Sequence, residues 1–170
     1  MSRAPRSRIG RAPSAFQLVA VPIGMTMLAS LAPLLPNIAS VPLLPPFGLM
    51  ALICWRLVHR NLWPAWIALP LGLWDDMWSG QPLGSAMLLW TLVMFGIDVL
   101  DRRMIWRDFI QDWGLASAII AAVLIAGLAI ANATGGAAPV RLILPQIAVS
   151  IGLYPLVALI CGRVDKWRVT

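Results

Sequence analysis

The apolar residues of the chain are grouped into six stretches separated by short polar segments. A helix needs about 20 mostly apolar residues to cross the hydrocarbon of a bilayer. The predicted spans are Phe16–Leu35, Val41–Val58, Trp63–Ser79, Pro82–Leu100, Trp113–Ala133 and Leu142–Gly162. The pattern predicts an all-α membrane protein with six transmembrane helices. Because the second and third spans are weaker, an alternative is that they pair as a hairpin that does not reach full depth.

The basic residues fall in alternate polar segments. Of 13 Lys and Arg residues, all but Arg141 lie in the N-terminal arm, after the second span, after the fourth span or in the tail. Membrane proteins keep such residues in the cytoplasm. We therefore predict both termini there, with a basic arm 1–15, one transmembrane domain 16–162 and a basic tail 163–170. Five spans are the second choice, because that topology moves an arginine cluster across the membrane.

The composition excludes several classes of protein. Hydrophobic residues make up 60% and charged residues 12% of the chain, against about 45–50% and about 25% in soluble domains. This excludes a disordered chain and argues against a soluble domain or a nucleic-acid partner. Two cysteines and one histidine cannot supply four ligands for a structural zinc, so no metal and no cofactor are predicted. The first apolar stretch is too long for a typical signal core and is interpreted as a retained span.

Tryptophan and proline give further expectations. Tryptophan favours the headgroup level, so Trp55 and Trp63 are expected at the cytoplasmic surface and Trp74 near the outer one, whereas Trp90 lies mid-span and is expected to pack between helices. A proline inside a span frees a backbone carbonyl, which a neighbouring group must then satisfy. Pro155 is such a residue.

Small residues recur at four-residue spacing in the fifth span. Such residues mark helix contacts in lipid, because they let backbones approach closely. We call this set the packing seam: Gly114, Ala118, Ala122 and Ala126. Two interpretations stay open, namely a surface for a partner protein and a contact with another helix of the same chain.

The aspartates are the candidates for chemistry. Asp75 and Asp76 lie in the third span, where a carboxylate is costly and suggests function. The alternative is that this end of the helix unwinds at Ser79–Gly80 and the two acids meet water or the loop. Adjacent helical residues point in different directions, so the two do not form an acid/base pair. Asp98, Asp101, Asp108 and Asp112 are interpreted as part of a solvated loop with local ion pairs, with a cap at the start of the fifth span as the alternative for Asp112. His59 is interpreted as solvated. No catalytic set is recognisable, so no enzyme is predicted.

The third span ends in a motif that is fairly specific. It contains Gly72, Asp76, Ser79, Gly80, Pro82 and Gly84, with Asp75 as an additional carboxylate. This motif resembles the central signature of the bacterial rod shape-determining protein MreD family, and the likeness extends from Pro46 to Arg168. Since Gly80 and Gly84 permit unusual backbone angles and Pro82 restricts one, we predict a rigid turn whose groups, or Ser85, donate hydrogen bonds to Asp76. The rigid outer rim formed by this motif is expected to present a surface on which a partner docks.

The resemblance implies a function. It implies a multi-pass scaffold in the bacterial inner membrane, part of the cell-elongation and peptidoglycan synthesis machinery and without enzymatic activity. The implied partners, besides membrane lipids, are the bitopic protein MreC and, through it, the MreB filament and the wall synthases. The family also resembles the substrate-binding S components of energy-coupling-factor transporters. The alternative function is therefore a small-solute-binding membrane subunit, which predicts a cavity at the outer end.

Overall fold

The computed structural model describes residues 15–34, 44–59, 62–102 and 108–169. Within these ranges all regular secondary structure is helical, which confirms the predicted all-α class and the six helices. The α-helices are α1 Ala15–Ala29, α2 Phe47–Val58, α3 Ala68–Ser79, α4 Ser85–Asp101, α5 Phe109–Ala133 and α6 Leu144–Val169. Most of the predicted basic arm and the cations Arg60, Arg103 and Arg107 lie outside the described residues.

Prolines set several helix starts. Pro46 lies directly before α2, which begins at Phe47 rather than at the predicted Val41. Pro64 precedes a short 3-10 helix, Ala65–Ile67, which leads into α3. Proline is tolerated in the first turn of a helix but removes a hydrogen bond in its interior, because it has no N–H to donate. The second and third predicted spans are therefore shortened at their proline-rich ends.

Two helices are long and apolar enough to cross a bilayer. They are α5 and the segment Val140–Trp167, which contains most of α6. The 25 residues of α5 correspond to about 37 Å at about 1.5 Å per residue, longer than a hydrocarbon core of about 30 Å. Only 22% of the most apolar stretch of each helix is buried inside the protein. Most of the apolar surface of both helices is therefore exposed on the outside of the protein.

The short helix α2 occupies the centre of the bundle. Every residue from Gly48 to Leu57 is buried, and α2 packs against α1, α5 and α6. Its twelve residues are joined in the core by Trp90, Met94 and Ile120 from α4 and α5. The principal neighbour of α3 is instead α4. The alternative of a hairpin between the second and third spans is therefore wrong.

Helix α6, which contains a proline, is tied to α5 by a hydrogen bond. Pro155 lies inside α6 and leaves the carbonyl of Ile151, one turn earlier, without its helical donor. The indole Nε1–H of Trp113 donates to that oxygen at 3.1 Å. The expectation that a neighbour satisfies a carbonyl freed by proline is confirmed at this position.

Three tryptophans lie in the core of the bundle. Trp90 is 2% exposed and packs between helices, as predicted. Trp55 and Trp63 are also buried, at 0% and 4% exposure, so both pack against protein rather than facing lipid headgroups. Both lie on short segments that the longer helices surround, and the indole rings therefore fill the core.

Candidate functional site

The turn between α3 and α4 is built around two glycines. Gly80 follows the end of α3 with φ +68°, and Gly84 precedes α4 with φ +93°. Both angles lie in the left-handed region, which only glycine adopts without steric cost. Between them, Pro82 accepts a hydrogen bond from the Ser85 N–H at 3.0 Å. The predicted role of the two glycines in a tight turn is confirmed, and we call this end of the bundle the turn end.

Asp76 caps the start of α4 from the neighbouring helix. Its Oδ1 accepts hydrogen bonds from the Ala86 N–H at 2.9 Å and the Ser85 hydroxyl at 3.1 Å. Its Oδ2 accepts from the N–H groups of Gly84 at 2.9 Å and Met87 at 3.2 Å. The first N–H groups of a helix lack internal partners and carry partial positive charge. A buried carboxylate is therefore satisfied at this position, and the predicted bonds to Asp76 are present.

Gly72 brings the two helices close enough for this cap. A Cβ atom on Gly72 would lie 2.6 Å from Met87 Cα and 2.7 Å from the Ala86 carbonyl oxygen. Residues four apart share a face of a helix, so Gly72 and Asp76 both meet the first turn of α4. The absence of a side chain at Gly72 thus permits the close backbone contact, and this contact brings the Asp76 carboxylate within hydrogen-bond distance of the first turn of α4.

Gly72→Ala is expected to destabilise the protein by about 1–3 kcal/mol, the range for overpacking a tight contact. The added methyl group collides with backbone atoms, so α3 must move away from α4 and lengthen the hydrogen bonds to Asp76. The measurement is the thermal unfolding midpoint of the purified protein in detergent. Gly96→Ala in α4 is the control, because a Cβ there meets no atom within 4 Å. Equal midpoints for the two variants would contradict the assigned contact.

Asp75 points away from the capped turn. A Cβ atom on Gly48 of α2 would collide with the Ser30 hydroxyl and lie 2.9 Å from Asp75 Oδ1. Asp75 and Ser30 therefore meet beside α2, while Asp76 faces α4. The two acids diverge as predicted. Helix α3 ends at Ser79 and Gly80, and Asp76 meets the following turn through Gly84 and Ser85, as the alternative predicted. Asp76 is only 3% exposed, so contact with water is wrong for this residue.

A cavity of about 370 Å³ opens at the turn end beside Asp75. Its polar lining includes Ser30, Asp75 and Ser79, and the Oγ of Ser79 is buried without a hydrogen-bond partner in the described structure. Leu124 and Leu128 of α5 form part of its apolar wall. The bundle is therefore not completely filled by side chains at this end, as the solute-binding alternative requires.

The packing seam lies mainly on the outside of α5. Gly114, Ala118 and Ala122 are exposed, and Ala126 is half-buried. The buried face of α5 is formed by different residues, Ala116, Ile120, Leu124 and Gly127. The first three seam residues are therefore available to lipid or to another protein.

Charged residues at the opposite end of the bundle pair between helices. Arg56, at the end of α2, forms ion pairs with Asp98 and with Asp101 of α4, the second at 3.1 Å. Arg56 is 4% exposed. The interpretation of Asp98 and Asp101 as part of a solvated loop with local pairs is therefore wrong, because both pair with a buried cation of another helix. We call this end the arginine end.

Two further predictions at the arginine end need correction. His59 Nε2 lies 2.8 Å from Asp165 Oδ1 of α6, so His59 is half-buried and paired rather than solvated. Helix α5 begins at Phe109, with Asp108 at the capping position and Asp112 in the first turn. Asp112 is therefore not the cap, because the helix starts four residues before the predicted Trp113. Spacing along one span does not reveal pairs between helices, and these contacts had no signal in the sequence.

Comparison with known families gives one result. The family described as rod shape-determining protein MreD matches residues 14–164, nearly the whole chain. Comparison with curated proteins and with solved structures found no match. The match includes the glycine turn, the Asp76 cap and the close contact at Gly72, and it extends the resemblance to the first helix. The chain therefore belongs to the MreD family of rod shape-determining proteins.

Proposed function

We propose that this protein is a multi-pass scaffold of the bacterial inner membrane that docks an MreC-like bitopic protein. Through that partner it serves the MreB filament and the peptidoglycan synthases of the elongation machinery. The family match over nearly the whole chain carries the proposal, because this family determines rod shape and is not a known enzyme family. The two long apolar helices support a position in the membrane.

The proposed topology has six crossings with both termini in the cytoplasm. Arg56, Arg102 and Arg163 lie at or near helix ends on the arginine end, whereas Arg141 lies between α5 and α6 at the turn end. This distribution supports a cytoplasmic arginine end. The short length of α2 does not conflict with a crossing. Non-helical backbone at membrane depth is tolerated where it is buried in protein, because its polar groups then do not face lipid.

The proposed docking surface is the packing seam on α5. Without a hydrophobic driving force between helices in lipid, association depends on close van der Waals contact, which small side chains allow. The exposure of Gly114, Ala118 and Ala122 supports the partner interpretation over a contact within the chain. A single transmembrane helix, as a bitopic protein has, is the kind of partner that such a narrow stripe fits.

Ala122→Leu is expected to reduce recovery of the MreC-like partner by about tenfold, because a branched side chain separates the two helix backbones; a tenfold change corresponds to about 1.4 kcal/mol. The measurement is co-purification from membranes in mild detergent, with the partner identified by its mass. This variant and the control described next, Ala148→Leu, both place leucine at an exposed alanine position.

Ala148→Leu on α6 is the matched control, because Ala148 is an exposed alanine outside the seam. Its partner recovery and its rod shape in cells should equal those of the unchanged protein. If Ala122→Leu cells stay rod-shaped and retain the partner, the seam is not the docking surface. Loss of partner recovery with both variants would argue for a general effect of leucine rather than a defined surface.

A further inference from the structure

The cavity at the turn end has a chemical character that the scaffold role does not use. It combines one carboxylate, Asp75, with the hydroxyls of Ser30 and Ser79. Its remaining wall includes the amides of Gln81 and Gln146 and is otherwise largely apolar, with Phe47, Leu128 and Ile143. A ligand that fits has one polar end that satisfies the carboxylate and an apolar body. It must also fit a space of about 370 Å³.

The charge of Asp75 has no counter-ion within the described residues. Arg56 and His59, which pair with other aspartates, lie at the arginine end. The neighbouring Asp76 is fully engaged by the start of α4 and cannot share a proton donor with Asp75. A carboxylate beside apolar walls is costly without a positive partner. A positive partner from outside these helices removes that cost.

We propose that this cavity binds a primary ammonium group carried on an apolar body, with Asp75 as its counter-ion. An ammonium donates up to three hydrogen bonds, and Asp75, Ser30 and Ser79 supply acceptor oxygens. The cavity is large enough for an organic body, since an apolar cavity of about 150 Å³ already holds benzene. A bare metal cation would leave the apolar wall without a partner. The proposal is independent of docking on α5.

Hexylammonium is the probe for a soluble ligand. Isothermal titration of the full chain in detergent is expected to show binding of hexylammonium and at least about tenfold weaker binding of 1-hexanol, which has the same body without the charge. Asp75→Asn is expected to weaken hexylammonium binding by at least about tenfold. Asp108→Asn, the same change at an exposed aspartate of the opposite end, should leave the affinity unchanged.

A second variant tests the cavity without touching the carboxylate. Leu128→Phe narrows the space and keeps Asp75, so it should also reduce hexylammonium binding. This result does not depend on whether Asp75→Asn disturbs the fold. Equal affinity for hexylammonium and 1-hexanol, or unchanged binding in both Asp75→Asn and Leu128→Phe, overturns the proposal.

The same group could come from a lipid, since phosphatidylethanolamine also ends in a primary ammonium. Native mass spectrometry of the full chain, prepared in vesicles of phosphatidylethanolamine and phosphatidylglycerol, separates the two sources. Retention of phosphatidylethanolamine by the unchanged protein and its loss in Asp75→Asn assigns the site to the lipid. Hexylammonium binding without such retention assigns it to a soluble amine. Absence of both overturns the proposal.

Discussion

Asp76→Asn is expected to destabilise the protein by about 2–4 kcal/mol and to abolish rod shape in cells that depend on it. The carboxamide has one acceptor oxygen, whereas Asp76 uses two oxygens for four donors. In the better orientation the new NH₂ group meets the Ser85 hydroxyl, which can rotate, but it still faces the N–H of Ala86. An unsatisfied buried donor costs about 1–3 kcal/mol, and the lost charge at a helix start about 1 kcal/mol more.

Thermal unfolding in detergent measures this loss, and Asp75→Asn is its control. That variant makes the same chemical change one residue earlier, where no helix start is capped. Its stability should equal or exceed that of the unchanged protein, because it removes a carboxylate that lacks a counter-ion. If Asp76→Asn and Asp75→Asn unfold at the same temperature, the cap does not have the stabilising role assigned to it.

Arg56→Met is expected to cost about 3–5 kcal/mol, the range for removing one partner of a buried ion pair. The change leaves Asp98 and Asp101 facing a buried position without their cation. Methionine is chosen because it retains an apolar side chain of comparable length for packing. The readouts are the unfolding midpoint in detergent and the amount of protein in the membrane.

Arg102→Met tests whether the effect depends on burial. Arg102 follows α4 directly and is exposed, so this change should alter stability by less than about 0.5 kcal/mol, as for most surface substitutions. Replacing Asp98 and Asp101 with asparagine in the Arg56→Met protein should restore part of the loss, since it removes the uncompensated charges. An Arg56→Met protein as stable as Arg102→Met would contradict the role of the pair.

The sequence predicts the helices well and their neighbours poorly. The six apolar stretches coincide with α1 to α6, and the family motif locates Asp76 and both left-handed glycines. These features depend on local composition and on residues close together along the chain. The contact at Gly72 was part of the motif, but its reason became visible only when α4 was placed against α3.

The errors arise on helices whose own residues are apolar on every face. On α5 such a pattern does not distinguish the buried Ala116 and Ile120 from the exposed Ala118 and Ala122, so the seam could not be assigned. On α2 the same uniformity concealed that Trp55 and Arg56 are enclosed by protein. Arg56 was counted as a loop cation because a charge at the end of a span usually faces water. Its partners, Asp98 and Asp101, lie more than forty residues away along the chain.

The enclosure of α2 imposes an order on biogenesis. The ribosome delivers α2 before α4, α5 and α6 exist, and its twelve residues, about 18 Å long, are too short to cross the hydrocarbon unaided. Until Asp98 and Asp101 have been synthesised, Arg56 has no counter-ion. Helix α2 therefore reaches its enclosed position only after α4, α5 and α6 have been made.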